Sequence, residues 1–272
     1  MWKLVRPRRR VTLNNNLQDK IRGSLLRGSI GDVLMKKILI PLMLLCSIAA
    51  YAQGTNMING NEYVDLGLPS GTLWATCNVG ALSPEECGEY FAWGETSAKK
   101  KYNWETLKYC KNKNGTNFSK YNEGKGAVGT IDNKTCLDLG DDVARQNWGG
   151  SWRMPTLQDW QELIDNCIWK QTTQGGYNGY KVTSNKNGES IFLPAAGWRG
   201  DSELTCVGES GQYWSSTLNS ESSTDAFVCY LRFGAIRAGR TIGTIGPGYR
   251  SHERWRGHSV RPVSCPAPSV HK

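Results

Sequence analysis

The chain has 272 residues, 39% of them hydrophobic, with 11 tryptophans and a formal net charge of +9. Ten of the 33 Lys/Arg but only two of the 24 Asp/Glu lie in residues 1–52, which leaves 23 bases against 22 acids beyond them. The larger part is close to neutral, which removes the warrant for a polyanion-binding surface and for a nucleic-acid partner.

Residues 1–34 carry the run Arg6-Pro7-Arg8-Arg9-Arg10 and no periodic apolar pattern; they read as an upstream extension before a true initiator at Met35. Lys36-Lys37, the apolar run from Ile38 to Ala50 and Ala50-Tyr51-Ala52 then follow in the order of a secretory signal peptide over 35–52. That run is shorter than the roughly 18–20 residues needed to cross a bilayer, so no transmembrane segment is expected after cleavage. Leu45 before Cys46 does not suit lipidation, which needs a small residue there. The expected location is the periplasm, the outer surface or the medium. Eight cysteines from Cys77 to Cys265 would then meet oxidising conditions, which suggests disulfides of undetermined pairing. The alternative is that several are buried thiols, because cysteine packs as a small hydrophobe. They form no C-x-x-C pair, and no zinc or other metal site is expected.

Residues 53–61 read as a polar leader and 62–265 as one domain, followed by a tail over 266–272. Tyr63–Leu68 and Thr72–Val79 predict a hairpin about Pro69-Ser70-Gly71. Tyr90-Phe91-Ala92-Trp93-Gly94-Glu95 is an aromatic island. Lys99–Lys134, rich in Lys, Asn and Gly, reads as a long irregular surface insertion with little to bury. A helix is expected within 136–148, with Asp141-Asp142 near its start rather than holding calcium. A second helix should open at Thr156, where Asp159 completes a capping box, with Trp160, Leu163, Ile164 and Cys167 on one face. Beyond Gly179 the texture is β: strands are predicted at 179–183, 190–194, 211–217, 226–233 and 257–263. Asn185-Lys186-Asn187-Gly188 supplies a hairpin turn, and long loops run over 197–211 and 234–257. The fold class is α+β: two helices packed on a mostly antiparallel sheet with long loops.

Two sets of phrases carry a family likeness. Trp152-Arg153-Met154-Pro155-Thr156 with Asp159-Trp160 resembles the W-R-[LM]-P-T-x-x-[DE]-W segment of formylglycine-generating-enzyme-like folds. The run Tyr63–Ala75, then Tyr90–Glu95, Tyr213-Trp214-Ser215-Ser216 and Ser259-Val260-Arg261-Pro262-Val263, is similar to the Fibrobacter succinogenes major paralogous domain, a family abundant in exported proteins of the Bacteroidetes. The likeness covers about residues 62–263 and implies a single C-type-lectin-like domain. It does not imply formylglycine-generating activity, since 234–261 holds no cysteine. Nor does it imply calcium-dependent sugar binding, since the E-P-N, Q-P-D and W-N-D phrases are missing.

No catalytic residue is singled out and no cofactor is expected. There is no G-x-S-x-G elbow, and loop acids such as Glu95, Asp201, Glu203 and Glu209 read as solvated rather than as a glycosidase pair. A hydrolase using such carboxylates, or a structural subunit of a surface assembly, are the alternatives. Trp74, Trp152, Trp160 and Trp214 are expected in the core. Trp198, Arg199 and Asp201 in one loop, with Arg250, Arg254 and Trp255 in another, are the candidate ligand-binding residues. An exposed indole beside charged groups can stack on a sugar or anchor a protein; alternatively both indoles fold back against the sheet with arginines alongside. The reading is a non-enzymatic binding module of the cell envelope for glycan or protein. N-terminal sequencing of the exported form should return Gln53, and its mass should lie below the fully reduced value.

Overall fold

Thr156 opens the longer of the two α-helices in the computed structural model, which describes residues 56–233, 235–237, 240–242 and 247–265. The upstream extension, the signal segment and the tail lie outside these residues. In this helix (α2, Leu157–Asn166) the Thr156 side chain accepts from the Asp159 N–H at 3.1 Å, and Asp159 accepts in return from the Thr156 N–H at 2.7 Å. The capping box is thus complete, and Arg153 locks it with a two-pronged contact to the Asp159 carboxylate at 2.6 and 3.0 Å. Trp160, Leu163 and Cys167 are buried, as their spacing predicts.

The first helix starts at the expected pair Asp141-Asp142 and ends at Gly149. It (α1) spans Val143–Trp148, and the preceding Leu139–Asp141 form a single 3-10 turn. Asp142 is the cap, accepting from the Arg145 N–H at 3.0 Å and, across the chain, from the Met154 N–H at 2.8 Å.

Both ends of the described chain meet in a five-stranded sheet. In sheet order its strands are β1 (Met57–Ile58), β2 (Asn61–Val64), β3 (Leu73–Ala75), β17 (Val263–Ser264) and β6 (Trp152–Arg153). The short β4 (Asn117–Phe118) and β5 (Val128–Gly129) pair in parallel within the insertion. A second sheet runs β7 (Cys167–Gln174), β8 (Tyr177–Ser184) and β9 (Ser190–Pro194), with the expected turn over 185–188 joining the last two. The segment expected as a loop over 197–211 contains a hairpin, β10 (Trp198–Gly200) and β11 (Glu203–Thr205). A third sheet runs β12 (Ser210–Leu218), β13 (Asp225–Arg232) and β16 (Gly248–Glu253); β14 (Ala235–Arg237) pairs with β15 (Arg240–Ile242). The architecture is therefore mixed, with two helices and predominantly antiparallel strands among the described residues. No helix there is long and apolar enough to cross a membrane.

The insertion over 99–134 departs most from its expected character. Tyr102, Leu107, Phe118 and Tyr121 are at most 3% exposed and belong to the core. Its lysines and asparagines suggest a solvated loop, but Tyr102, Phe118 and Tyr121 turn inward, while Trp104 and Tyr109 are partly exposed. Asp141 anchors it: this buried carboxylate accepts from Tyr121 Oη at 2.6 Å and Lys108 Nζ at 2.9 Å, and also from Lys120 and Tyr109. Burial opposes its charge, yet these donors hold its carboxyl well below the usual range.

All eight cysteines of the described residues are free thiols in this structure. Cys167 and Cys229 sit in the main core cluster with Trp74 and Trp160, and burial alone pushes the Cys167 thiol up to about 11.

Arg261 lies in the segment feeding β17 and is fully buried with no carboxylate among its contacts. Its Nε donates to Asn78 Oδ1 at 2.8 Å, its Nη1 to the Ala75 carbonyl at 3.0 Å and to Thr76, and its Nη2 to the Phe192 carbonyl at 3.0 Å. One side chain thus ties the first hairpin to β9. Arg261→Met keeps most of the bulk but strands these acceptors. It should lower unfolding stability by about 3 kcal/mol, read from the urea midpoint; a loss under about 1 kcal/mol would show that water replaces the guanidinium freely.

Candidate functional site

The turn after β16 decides which of the aromatic and basic residues reach the surface. Arg254, expected as a ligand contact, points inward and is completely buried. Its Nη1 donates to the carbonyls of Tyr121 (3.1 Å) and Ser223 (3.0 Å), its Nη2 to that of Lys120 (3.3 Å). The guanidinium lies 4.5 Å from the Phe118 ring centre and 5.0 Å from that of Trp93. Burial lowers its pKa to about 10, so it stays charged at neutral pH. The correction has a simple cause: the insertion and the β13 turn offer three converging carbonyls, which a ligand would have to outcompete.

Arg256 takes the surface role instead. Its guanidinium stacks 4.4 Å from the Trp198 ring centre and 5.3 Å from that of Trp255, so one cation serves both indoles. Its Nε donates to Glu253 Oε2 at 2.6 Å, and although burial opposes this, the contact holds the Glu253 carboxyl below its usual range. Trp255 also meets Trp104 edge-on at 6.3 Å. Trp104, Trp198, Trp255 and Arg256 are all partly exposed.

Backbone pairing fixes this cluster. Arg199 and Gly257 exchange both N–H···O bonds, at 2.8 and 2.9 Å, and Tyr102 and Asp201 exchange theirs at 2.7 Å each. Gly257 is required: a Cβ there would approach the Tyr102 ring to 2.8 Å and the Arg199 Cβ to 3.0 Å. Adjacent strand residues point to opposite sides, which separates Arg199 from Trp198. Arg199 stacks over Tyr90 at 5.3 Å. Asp201, at a positive φ of 47°, accepts from Asn103 Nδ2 at 3.0 Å and is exposed. Arg250 stacks over Tyr230 at 4.2 Å, on the β13–β16 sheet rather than in the indole cluster.

Of the six expected residues, the structure therefore brings Trp198 and Trp255 together, sets Arg199 and Asp201 on the flank, leaves Arg250 elsewhere and buries Arg254. The sequence reading missed Arg256, Glu253 and Trp104. Arg256 sits next to Trp255, but in a turn no strand alternation tells which of two arginines faces out.

Beside the cluster, His252 Nδ1 and His258 Nε2 share a hydrogen bond at 3.1 Å. His258 is fully buried, stacks edge-on against Trp214 at 4.4 Å and leaves its Nδ1 without a partner. Burial lowers His252 to about 4, with Arg256 adding to the shift. His258 is held well below its usual value by burial, then by His252 and Arg256. Both rings are neutral at pH 7 and neither bonds a serine. Among the expected loop acids, Glu95 is paired with Lys99 at 2.8 Å, while Glu203 and Glu209 are exposed.

No family model matches the chain, and neither a curated protein nor a solved structure matches it.

The histidine pair gives a pH prediction. Both folded pKa values lie below the unfolded value near 6.5, so the unfolded chain takes up protons first. The pair's contribution is complete above about pH 6.5 and declines as pH falls toward about 4, the folded value of His252. Thermal melts across that window should show a falling Tm, and His252→Asn should flatten the fall; an unchanged slope would assign it to other groups.

Proposed function

We propose that this protein is an exported, non-enzymatic binding module of the cell envelope or surface, and that it holds a glycan across the face formed by Trp198, Arg256 and Trp255. The observation that carries the reading is the shared cation between two partly exposed indoles. Indoles present flat apolar faces to the C–H face of a sugar, while Arg256, Glu253 and the flanking Asn103–Asp201 pair supply donors and acceptors for its hydroxyls. Arg256 is fixed on three sides before any ligand arrives, so little side-chain freedom remains to be lost on binding. The C-type-lectin-like fold and kinship with the major paralogous domain family belong to this proposal, supported by the ordered phrases from Tyr63 to Val263. Export, supported by the residues from Met35 to Ala52, and disulfide formation after it belong here too.

A glycan array followed by titration calorimetry tests the reading. Trp198→Ala and Trp255→Ala should each weaken binding about tenfold or more, the scale of a central aromatic contact. Arg250→Ala, on its separate sheet, should leave it unchanged. Binding that survives both tryptophan changes would place the ligand elsewhere, and capture of a protein lost in the same variants would replace the glycan with a protein ligand.

A further inference from the structure

The sheet β7-β8-β9 ends at β7, and the outer side of that strand carries no other strand among the described residues. All eight residues of β7 pair with β8 in unbroken register, from Cys167↔Ser184 to Gln174↔Tyr177. The edge is therefore uninterrupted and bears a row of backbone donors and acceptors facing away from β8. Proteins commonly blunt such an edge with proline, a bulge or several charges. β7 has no proline and no bulge, and its one charge is Lys170. Ile168, Thr172 and Thr173 favour the extended backbone. Ile168 is 63% exposed, an unusual place for a large aliphatic side chain. On the other side of the strand Trp169 packs against the main core cluster but is only partly covered, and its indole N–H has no acceptor. The core thus reaches the sheet edge without being closed there.

We propose that β7 pairs antiparallel with β7 of a second copy of this chain, joining two three-stranded sheets into one. The strand can pair with its own copy over most of its length: two-fold registers centred on Lys170 or Gln171 each match seven of its eight residues, more than a centre on any other residue. Outward-facing backbone groups fall on alternate residues, so a two-fold pairing must centre on a residue rather than between two. Centred on Lys170, it would set two ammonium groups face to face. Centred on Gln171, it sets Lys170 opposite Thr172 of the second copy, Trp169 opposite Thr173 and Ile168 opposite Gln174. No like charges meet, and each partly covered Trp169 gains a neighbouring strand. The inference is independent of the glycan reading, because Trp198, Trp255 and Arg256 lie on other elements.

The register makes the test directional. Thr172 is exposed, so changing its charge leaves the core alone. Thr172→Lys creates two like-charge contacts with Lys170 across the two-fold, and Thr172→Glu creates two attractive ones. Sedimentation equilibrium of the full chain should show a monomer–dimer equilibrium. Its Kd should rise roughly 2- to 30-fold in Thr172→Lys and fall by a similar factor in Thr172→Glu, the range expected for two cross-strand pairs. Lys170→Glu combined with Thr172→Lys should restore dimerisation, with unchanged circular dichroism confirming the fold throughout. A chain that stays monomeric at millimolar concentration overturns the proposal. So does a dimer that responds to neither charge, or to both in the same direction.

Discussion

Two guanidinium groups buried without carboxylates set the terms for this fold. A cation withdrawn from water costs several kcal/mol unless its donors are all met. Arg254 and Arg261 meet that cost with backbone carbonyls, drawn from segments up to 186 residues away in sequence. Carbonyls can converge on a guanidinium only if the chains that bear them are already placed. Each arginine is therefore a condition on several segments at once: Arg261 on the first hairpin and β9, Arg254 on the insertion and the β13 turn. Because a carbonyl carries no formal charge, each arginine leaves an excess positive potential inside the protein. Aromatic faces offset part of it at Arg254, where Trp93, Phe118 and Tyr121 surround the cation.

The same arrangement explains why the surface cluster is ordered. Residues 254–258 alternate between inward and outward roles within one short segment. Arg254 is held inside, Trp255 and Arg256 stand at the surface, Gly257 pairs with Arg199, and His258 returns to the interior. The outward pair is fixed by contacts on both sides of it. Trp198 arrives from β10 through the Arg199–Gly257 pair, so the indole–guanidinium stack rests on backbone geometry rather than on flexible side chains. The insertion contributes in turn, since Tyr102 clamps the β10 end and Trp104 supports Trp255.

What could be read from the sequence follows the range of the interaction. The α2 cap was legible because Thr156 and Asp159 sit three residues apart and need no tertiary partner. Strands β9 and β13 were legible because their apolar runs are continuous, and Trp74, Trp152, Trp160 and Trp214 are buried as expected. β7 was missed because Lys170-Gln171-Thr172-Thr173-Gln174 lacks apolar alternation; its register comes from β8 instead. The β10–β11 hairpin is stabilised by the bridges to Gly257 and Tyr102, which no local pattern announces. The insertion misled through composition: Lys, Asn and Gly dominate its count, but four buried side chains dominate its energetics. The choice of Arg254 over Arg256 failed for a similar reason. Two arginines flanking one tryptophan are equivalent in sequence and are separated only by carbonyls supplied from residues 120, 121 and 223.

Charge around the cluster bears on the kind of ligand it could hold. Arg256 is matched by Glu253, and the flank carries one base and one acid, Arg199 and Asp201, while both rings of the histidine pair are neutral at pH 7. Local balance thus repeats the balance of the chain beyond residue 52, with its 23 bases and 22 acids. A polyanion would gain little counterion release at such a surface, and a polycation would meet Arg256 directly. The groups that remain are aromatic faces and paired charges whose outer atoms can still exchange hydrogen bonds with hydroxyls. Those are the requirements of an uncharged, hydroxyl-rich ligand with one apolar face, so shape and hydrogen-bond direction, not net charge, would set specificity here.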